Sequence, residues 1–148
     1  MIRQPALQPL SRDHHDALAI ALRLARADAD TAADVQNAFL RYWLSDGREH
    51  FRAEEEILLP TFANHADSQH PLVARVLHEH LLIRQRALRI ERGVEEPLWR
   101  LRELGGLVSD HVRLEERELF PLVEERVPPN ELAWLGEALE KAEGSADE

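Results

Sequence analysis

Apolar residues recur at three- and four-residue steps along almost the whole chain and β-branched alternation is nearly absent, so the pattern predicts helices rather than strands. A first helix begins near Ser11, a good N-cap, and carries Leu10, His14, Ala17, Leu18, Ala21 and Leu24 or Ala25 on one face. A second starts after Thr31, whose spacing to Asp34 resembles a capping box; its stripe reads Phe39, Leu40, Trp43, Gly47, His50, Glu54, Ile57 and Leu58. The third opens at Pro71 and ends before Gly93, with Val73, Val76, Leu77, His80, Ile83, Arg84 and Ala87 facing inward. The fourth opens around Pro97 and carries Leu101, Leu104, Val108, His111, Glu115, Leu119 and Leu122 until "VPPN" stops it. Asn130 then caps a short last helix presenting Leu132, Leu135 and Leu139.

Short connections between long amphipathic helices make antiparallel neighbours. The expected fold class is therefore all-α: an up-down-up-down four-helix bundle with a short C-terminal fifth helix. At 148 residues the chain fits one domain over 1–148, with a core at about 8–127, the fifth helix at 128–143 and a tail at 144–148.

Asp and Glu outnumber Lys and Arg by 28 to 18, a formal charge of −10, and such a surface repels phosphate backbones, so no nucleic-acid partner is expected. The absence of cysteine removes disulfides, thiolate metal sites and cysteine nucleophiles together, so any metal site must use His, carboxylate or water. The apolar stretches fall short of a membrane span and the first residues lack the apolar core of a secretory signal, which makes a soluble cytoplasmic protein with no membrane partner the expectation.

Polar residues on all four core stripes need a reason. "HFRAEEEILLP" (His50 to Pro60) and "HVRLEERELFP" (His111 to Pro121) repeat His, three residues, Glu-Glu, two residues, Leu-x-Pro. His at i and Glu at i+4 share a helix face, about 6 Å apart along the axis, and can converge on one point or on neighbouring metals. "LSRDH" and "VLHEH" match each other too, placing Asp13-His14 and Glu79-His80 three residues after Leu10 and Val76, so the chain is an internal duplication of two helix pairs. The duplication brings His14, His50, Glu54, His80, His111 and Glu115 to the middle of the bundle. Without a common partner, six such buried groups would cost several kcal/mol each. A pair of metal ions removes that cost, and imidazole with carboxylate suits iron; manganese also fits.

In its paired "HxxxEExxLxP" segments and the Asp-His and Glu-His motifs of the first and third helices, the chain resembles the hemerythrin-like HHE cation-binding family over roughly residues 8 to 127. The resemblance implies a four-helix bundle holding two iron ions in a non-haem di-iron centre that meets small diatomic molecules. Carried over position by position, His14 and His50 would hold one iron, His80 and His111 the other, and Glu54 and Glu115 would bridge. Oxygen-carrying hemerythrins resemble this pattern with a second His four residues after the one on the third helix, where this chain has Arg84. Arginine stays protonated and cannot ligate. Its presence implies an extra open or water-filled position and a cation near the centre, expected to pair with Glu118 or a bound anion.

His15, about 100° around the helix from His14, is the alternative ligand if the register is off by one. His78, His65 and His70 are expected in solvated or capping roles, and Glu55, Glu56, Glu116 and Glu118 on a charged outer face paired with Arg. Trp43, Phe39 and Phe51 are read as core, and Pro60 and Pro121 are expected to kink or end their helices below the site. The leading functional expectation is a di-iron protein that binds or senses oxygen, nitric oxide or a peroxide. The alternatives are a di-iron enzyme or iron donor, acting in peroxide or nitric oxide reduction or iron–sulfur repair, and an iron buffer. Trp99 and Trp134 could supply a homodimer surface.

Overall fold

In the computed structural model, which describes residues 3–144, every regular element is helical. A single 3₁₀ turn, Pro5–Leu7, leads into α1, Gln8–Ala25. Ser11 therefore lies inside α1 rather than capping it, because Pro9 at the second position of the helix tolerates an earlier start. α2 is a continuous helical run over residues 32–63, α3 is Pro71–Glu91, α4 runs over 98–126, and α5 is Pro129–Gly144.

Several helix ends differ from expectation. No capping box forms at Thr31: its backbone is already helical, its hydroxyl accepts from the Asp28 amide, and the Asp28 carboxylate accepts from the amides of Asp30 and Thr31. The turn before the helix thus engages the Thr31 hydroxyl and the Thr31 amide, the two groups a capping box would have used. α5 is not short; at 16 residues it nearly matches α1, and it starts at Pro129, so Asn130 is inside it. The tail expected at 144–148 falls, after Gly144, outside the described residues. α3 begins at Pro71 as expected, and Gly93 follows it at a φ of +81°, which only glycine adopts without strain.

α2 and α4 contain widened π turns at Glu54–Leu58 and Glu115–Leu119, and α2 has a third at Trp43–Gly47. The amides of Leu59 and Phe120 bond the carbonyls of Glu54 and Glu115, five residues back. The next residue is Pro60 or Pro121, which has no N–H to offer and whose ring would clash with the carbonyl four residues earlier; the wide turn relieves both. The helices do not end at these prolines but continue to Ala63 and Arg126. The extra residue also shifts the inward face, so Val123 is fully buried where Leu122 was expected. On α1 and α3, Leu18 and Leu77 face solvent more than the stripe predicted.

Two apolar clusters form the core. One joins Ala17–Leu24 of α1 to Phe39, Trp43 and Phe51 of α2, Ile83–Ile90 of α3 and Leu101–Val112 of α4. The other joins Leu7 and Leu10 to Leu58–Phe62, Val73, Val76, Leu119–Val127 and Leu135 and Leu139 of α5. Burying each Phe or Leu contributes about 1.5–3 kcal/mol. No helix among the described residues is long and apolar enough to cross a membrane.

Candidate metal centre

Between the two clusters lies a polar layer. His14 of α1, His50 and Glu54 of α2, His80 of α3 and His111 and Glu115 of α4 are all buried there, both glutamates completely. The helical register explains the convergence: each of these residues is one or two turns from apolar residues that belong to both clusters, so anchoring the clusters fixes the layer. His15 is exposed, and His14 takes the inward position. His78 is exposed, the His70 ring accepts from the Leu72 amide at the start of α3, and His65 meets Glu131 of α5.

Ligand-capable atoms of His14, His50, Glu54 and Glu115 lie within 4.8 Å of one another, as do those of Glu54, His80, His111 and Glu115. The two glutamates are common to both groups. The imidazole Nε2 atoms face the carboxylates at 3.3 Å (His14–Glu115), 3.4 Å (His50–Glu54), 3.1 Å (His80–Glu54) and 3.0 Å (His111–Glu115). The Nε2 atoms of His80 and His111 are 3.1 Å apart.

The other ring nitrogen of each His points outward to a carboxylate. His14 Nδ1 meets Glu116 at 2.7 Å, His50 meets Asp13 at 2.8 Å, and His80 and His111 meet Glu55 and Glu79, both at 2.7 Å. An ionised carboxylate only accepts, so each Nδ1 carries a proton, and a ring that gives up its second proton turns an Nε2 lone pair to the interior. The four contacts tie α4 to α1, α1 to α2, α2 to α3 and α3 to α4, a closed ring. Burial raises the titration of these four carboxylates, but the facing imidazole together with Glu143 at Asp13, Arg84 at Glu55, Arg75 at Glu79 and Ser11 and Arg3 at Glu116 outweighs it, and all four end below their ordinary range.

These outer carboxylates are what sequence reasoning missed. Glu55 and Glu116 were assigned to a solvated face, and only Glu56 and Glu118 are exposed. The signal was available, since Asp13 and Glu79 precede equivalent histidines and Glu55 and Glu116 follow equivalent glutamates. Arg84 does not pair with Glu118; it bonds Glu55 at 2.9 Å and lies over the Trp43 and Phe51 rings. The apolar walls are specific too: Phe51 stacks on His80 with ring centroids 3.8 Å apart, and Phe120 stacks on His14 at 5.4 Å.

The interior has an unmet demand. His14 Nε2, His50 Nε2, Glu54 Oε2 and both Glu115 oxygens are buried without a hydrogen-bond partner, a cost of about 1–3 kcal/mol each and more for charged atoms. Convergent, orphaned nitrogen and oxygen donors fit a cation. Burial disfavours imidazolium, yet the carboxylates more than offset it: His14, His50 and His80 are raised, and His111 is raised to about 10. Glu115 falls well below its ordinary range, against the effect of burial, chiefly because of His111. Without a metal, protons satisfy the layer; with one, the cation takes their place.

The fold and layer together define an all-helical protein with a buried His/Glu cluster suited to metal cations. The family model described as Hemerythrin HHE cation binding domain matches residues 7–123, and the chain belongs to that family. Comparisons with curated proteins and with solved structures give no match.

Proposed function

We propose that this chain is a non-haem di-iron protein of the hemerythrin-like type that binds or senses a small diatomic ligand, oxygen or nitric oxide, or a peroxide. One observation carries the reading: two four-residue His/Glu groups share Glu54 and Glu115, so the donors suit two ions with the glutamates between them. His14 and His50 would hold one ion and His80 and His111 the other. Nitrogen and oxygen donors of this kind suit iron and also manganese. When bound, iron would supply the open coordination positions that small ligands need.

The chain's own residues account for the rest. The ring of Asp13, Glu55, Glu79 and Glu116 fixes each imidazole in one tautomer and orientation, and Phe51 and Phe120 exclude water from two of the rings. Complete burial of Glu54 and Glu115 restricts the interior to very small guests. The same reading includes an up-down-up-down course for α1 to α4. Its support is that one apolar cluster takes the start of α1, the end of α2, the start of α3 and the end of α4. A cytoplasmic location and a homodimer belong to it as well, the latter because Trp99 and Trp134 are more than half exposed.

The test is metal analysis together with an absorption spectrum of protein purified in air, before and after anaerobic reduction. The expected result is about two irons per chain and a near-ultraviolet band that bleaches on reduction. Less than about one metal per chain, with no such band, refutes the di-iron reading.

A further inference from the structure

The duplication gives the cluster two halves, His14 with His50 and His80 with His111, but α5 has no counterpart in the repeat. It packs on the 3₁₀ turn, on α1 and on the segment of α2 that carries His50, Glu54 and Glu55. The consequence shows behind each imidazole. Glu55, behind His80, accepts from Arg84 at 2.9 and 3.3 Å, and Glu79, behind His111, accepts from Arg75 at 3.2 Å. Glu116, behind His14, is held by Arg3, which is shared with Glu124 at 2.9 Å. Asp13, behind His50, is met by no arginine but by Glu143 of α5, one of whose oxygens is buried without a partner. The neighbouring Arg12 is turned away to Glu140, 2.8 Å from it.

The second half therefore bonds each outer carboxylate to its own arginine, whereas in the first Arg3 is divided between Glu116 and Glu124, and Asp13 is bonded to the Glu143 carboxyl instead of a guanidinium. Negative charge a few ångströms from a buried site stabilises a cation there, and the imbalance is not screened as it would be in water. Arg75 is more than half exposed and counts for less, so Arg84 is the main opposing charge on the second half.

We infer that the two halves are inequivalent, and that a divalent cation enters the His14–His50 half first and is held there more tightly, because α5 sets Glu143 rather than an arginine against Asp13. The inference rests on the reading of the six residues as a two-ion site. Its test uses the full chain, stripped of metal and titrated with Co²⁺ by visible absorption and calorimetry, with folding checked by circular dichroism. His80→Ala leaves the first half and His50→Ala the second; His80→Ala is expected to bind one Co²⁺ about tenfold or more tighter than His50→Ala.

Two further variants ask whether the outer charges cause the difference. Glu143→Arg in the His80→Ala background gives Asp13 the arginine that the other carboxylates have, and should weaken binding by a similar factor. Arg84→Gln in the His50→Ala background keeps a donor for Glu55, removes the charge, and should tighten it. Equal affinities, tighter binding by His50→Ala, or loss of binding in both single-half variants overturns the inference while leaving the two-ion reading intact. No uptake by the unaltered protein overturns both.

Discussion

Gly105 and Gly106 are neighbours on α4 that should respond oppositely to the same substitution. A Cβ on Gly105 would come 2.6 Å from the Ala21 carbonyl oxygen, 2.8 Å from the Ala25 amide nitrogen and 3.0 Å from Leu24 Cβ, all on α1. Two of those atoms are backbone, so no rotamer change relieves the contact, and α1 and α4 must part by roughly 0.8 Å to restore ordinary van der Waals separation. A Cβ on Gly106 meets nothing within 4 Å. Replacing either glycine by alanine in a helix gains about 0.5–1 kcal/mol from backbone entropy. Overpacking costs about 1–3 kcal/mol and applies to Gly105 alone.

The difference between the two variants isolates the clash, because the propensity gain is common to both. Gly106→Ala should melt slightly above the parent, and Gly105→Ala below Gly106→Ala by roughly 2–12 °C, from about 2–4 °C per kcal/mol in a chain of this size. The assay is thermal unfolding of the metal-free protein, so that packing is separated from metal affinity. Since α1 carries His14 and α4 carries His111, the same parting should weaken cation uptake in Gly105→Ala only. Equal melting of the two variants would refute the close approach of α1 and α4 and the argument that it sets the spacing of the layer.

His50→Ala or Glu115→Ala should lose bound metal and melt at a lower temperature than the loaded parent; metal content and melting curves run with and without a chelator check this. Glu55→Gln weakens the anchor on His80 and should lower metal affinity about 10–100-fold with little change in helicity, read by competition with a chromophoric chelator. In the metal-free protein His111 is raised from 6.5 to about 10, so its stabilisation is complete below pH 6.5 and is lost as pH climbs towards 10. Glu115 is lowered well below 4.5, so its contribution is present above pH 4.5 and is lost as pH falls through its folded value. Urea midpoints of the metal-free protein should therefore fall between pH 6.5 and 9, and a higher midpoint at pH 9 would contradict the assignment.

The alternation of Leu, Ala and Val at helical steps, and the prolines and glycines between them, were enough to place four long helices and to set His14, His50, Glu54, His80, His111 and Glu115 on inward faces, because a regular helix converts spacing directly into direction. The same uniform spacing failed where the backbone is not uniform. It placed Leu122 inward, whereas the wide turn before Pro121 passes that position to Val123. It treated α5 as a short appendage, though its Leu135 and Leu139 complete a core cluster.

Which carboxylate stands behind which imidazole was legible only in three dimensions. Asp13 serves His50 and Glu116 serves His14, contacts between residues 37 and 102 positions apart that no local pattern encodes. Arg84 looked like a cation aimed at the centre, and tertiary packing turned it to Glu55 because that carboxylate already faced His80 from the next helix. The sequence thus determined the helices and the inward residues, since both follow from interactions within a few turns. The asymmetry between the two halves came from a fifth helix lying across a two-fold repeat, and only the packed structure decides where that helix lies.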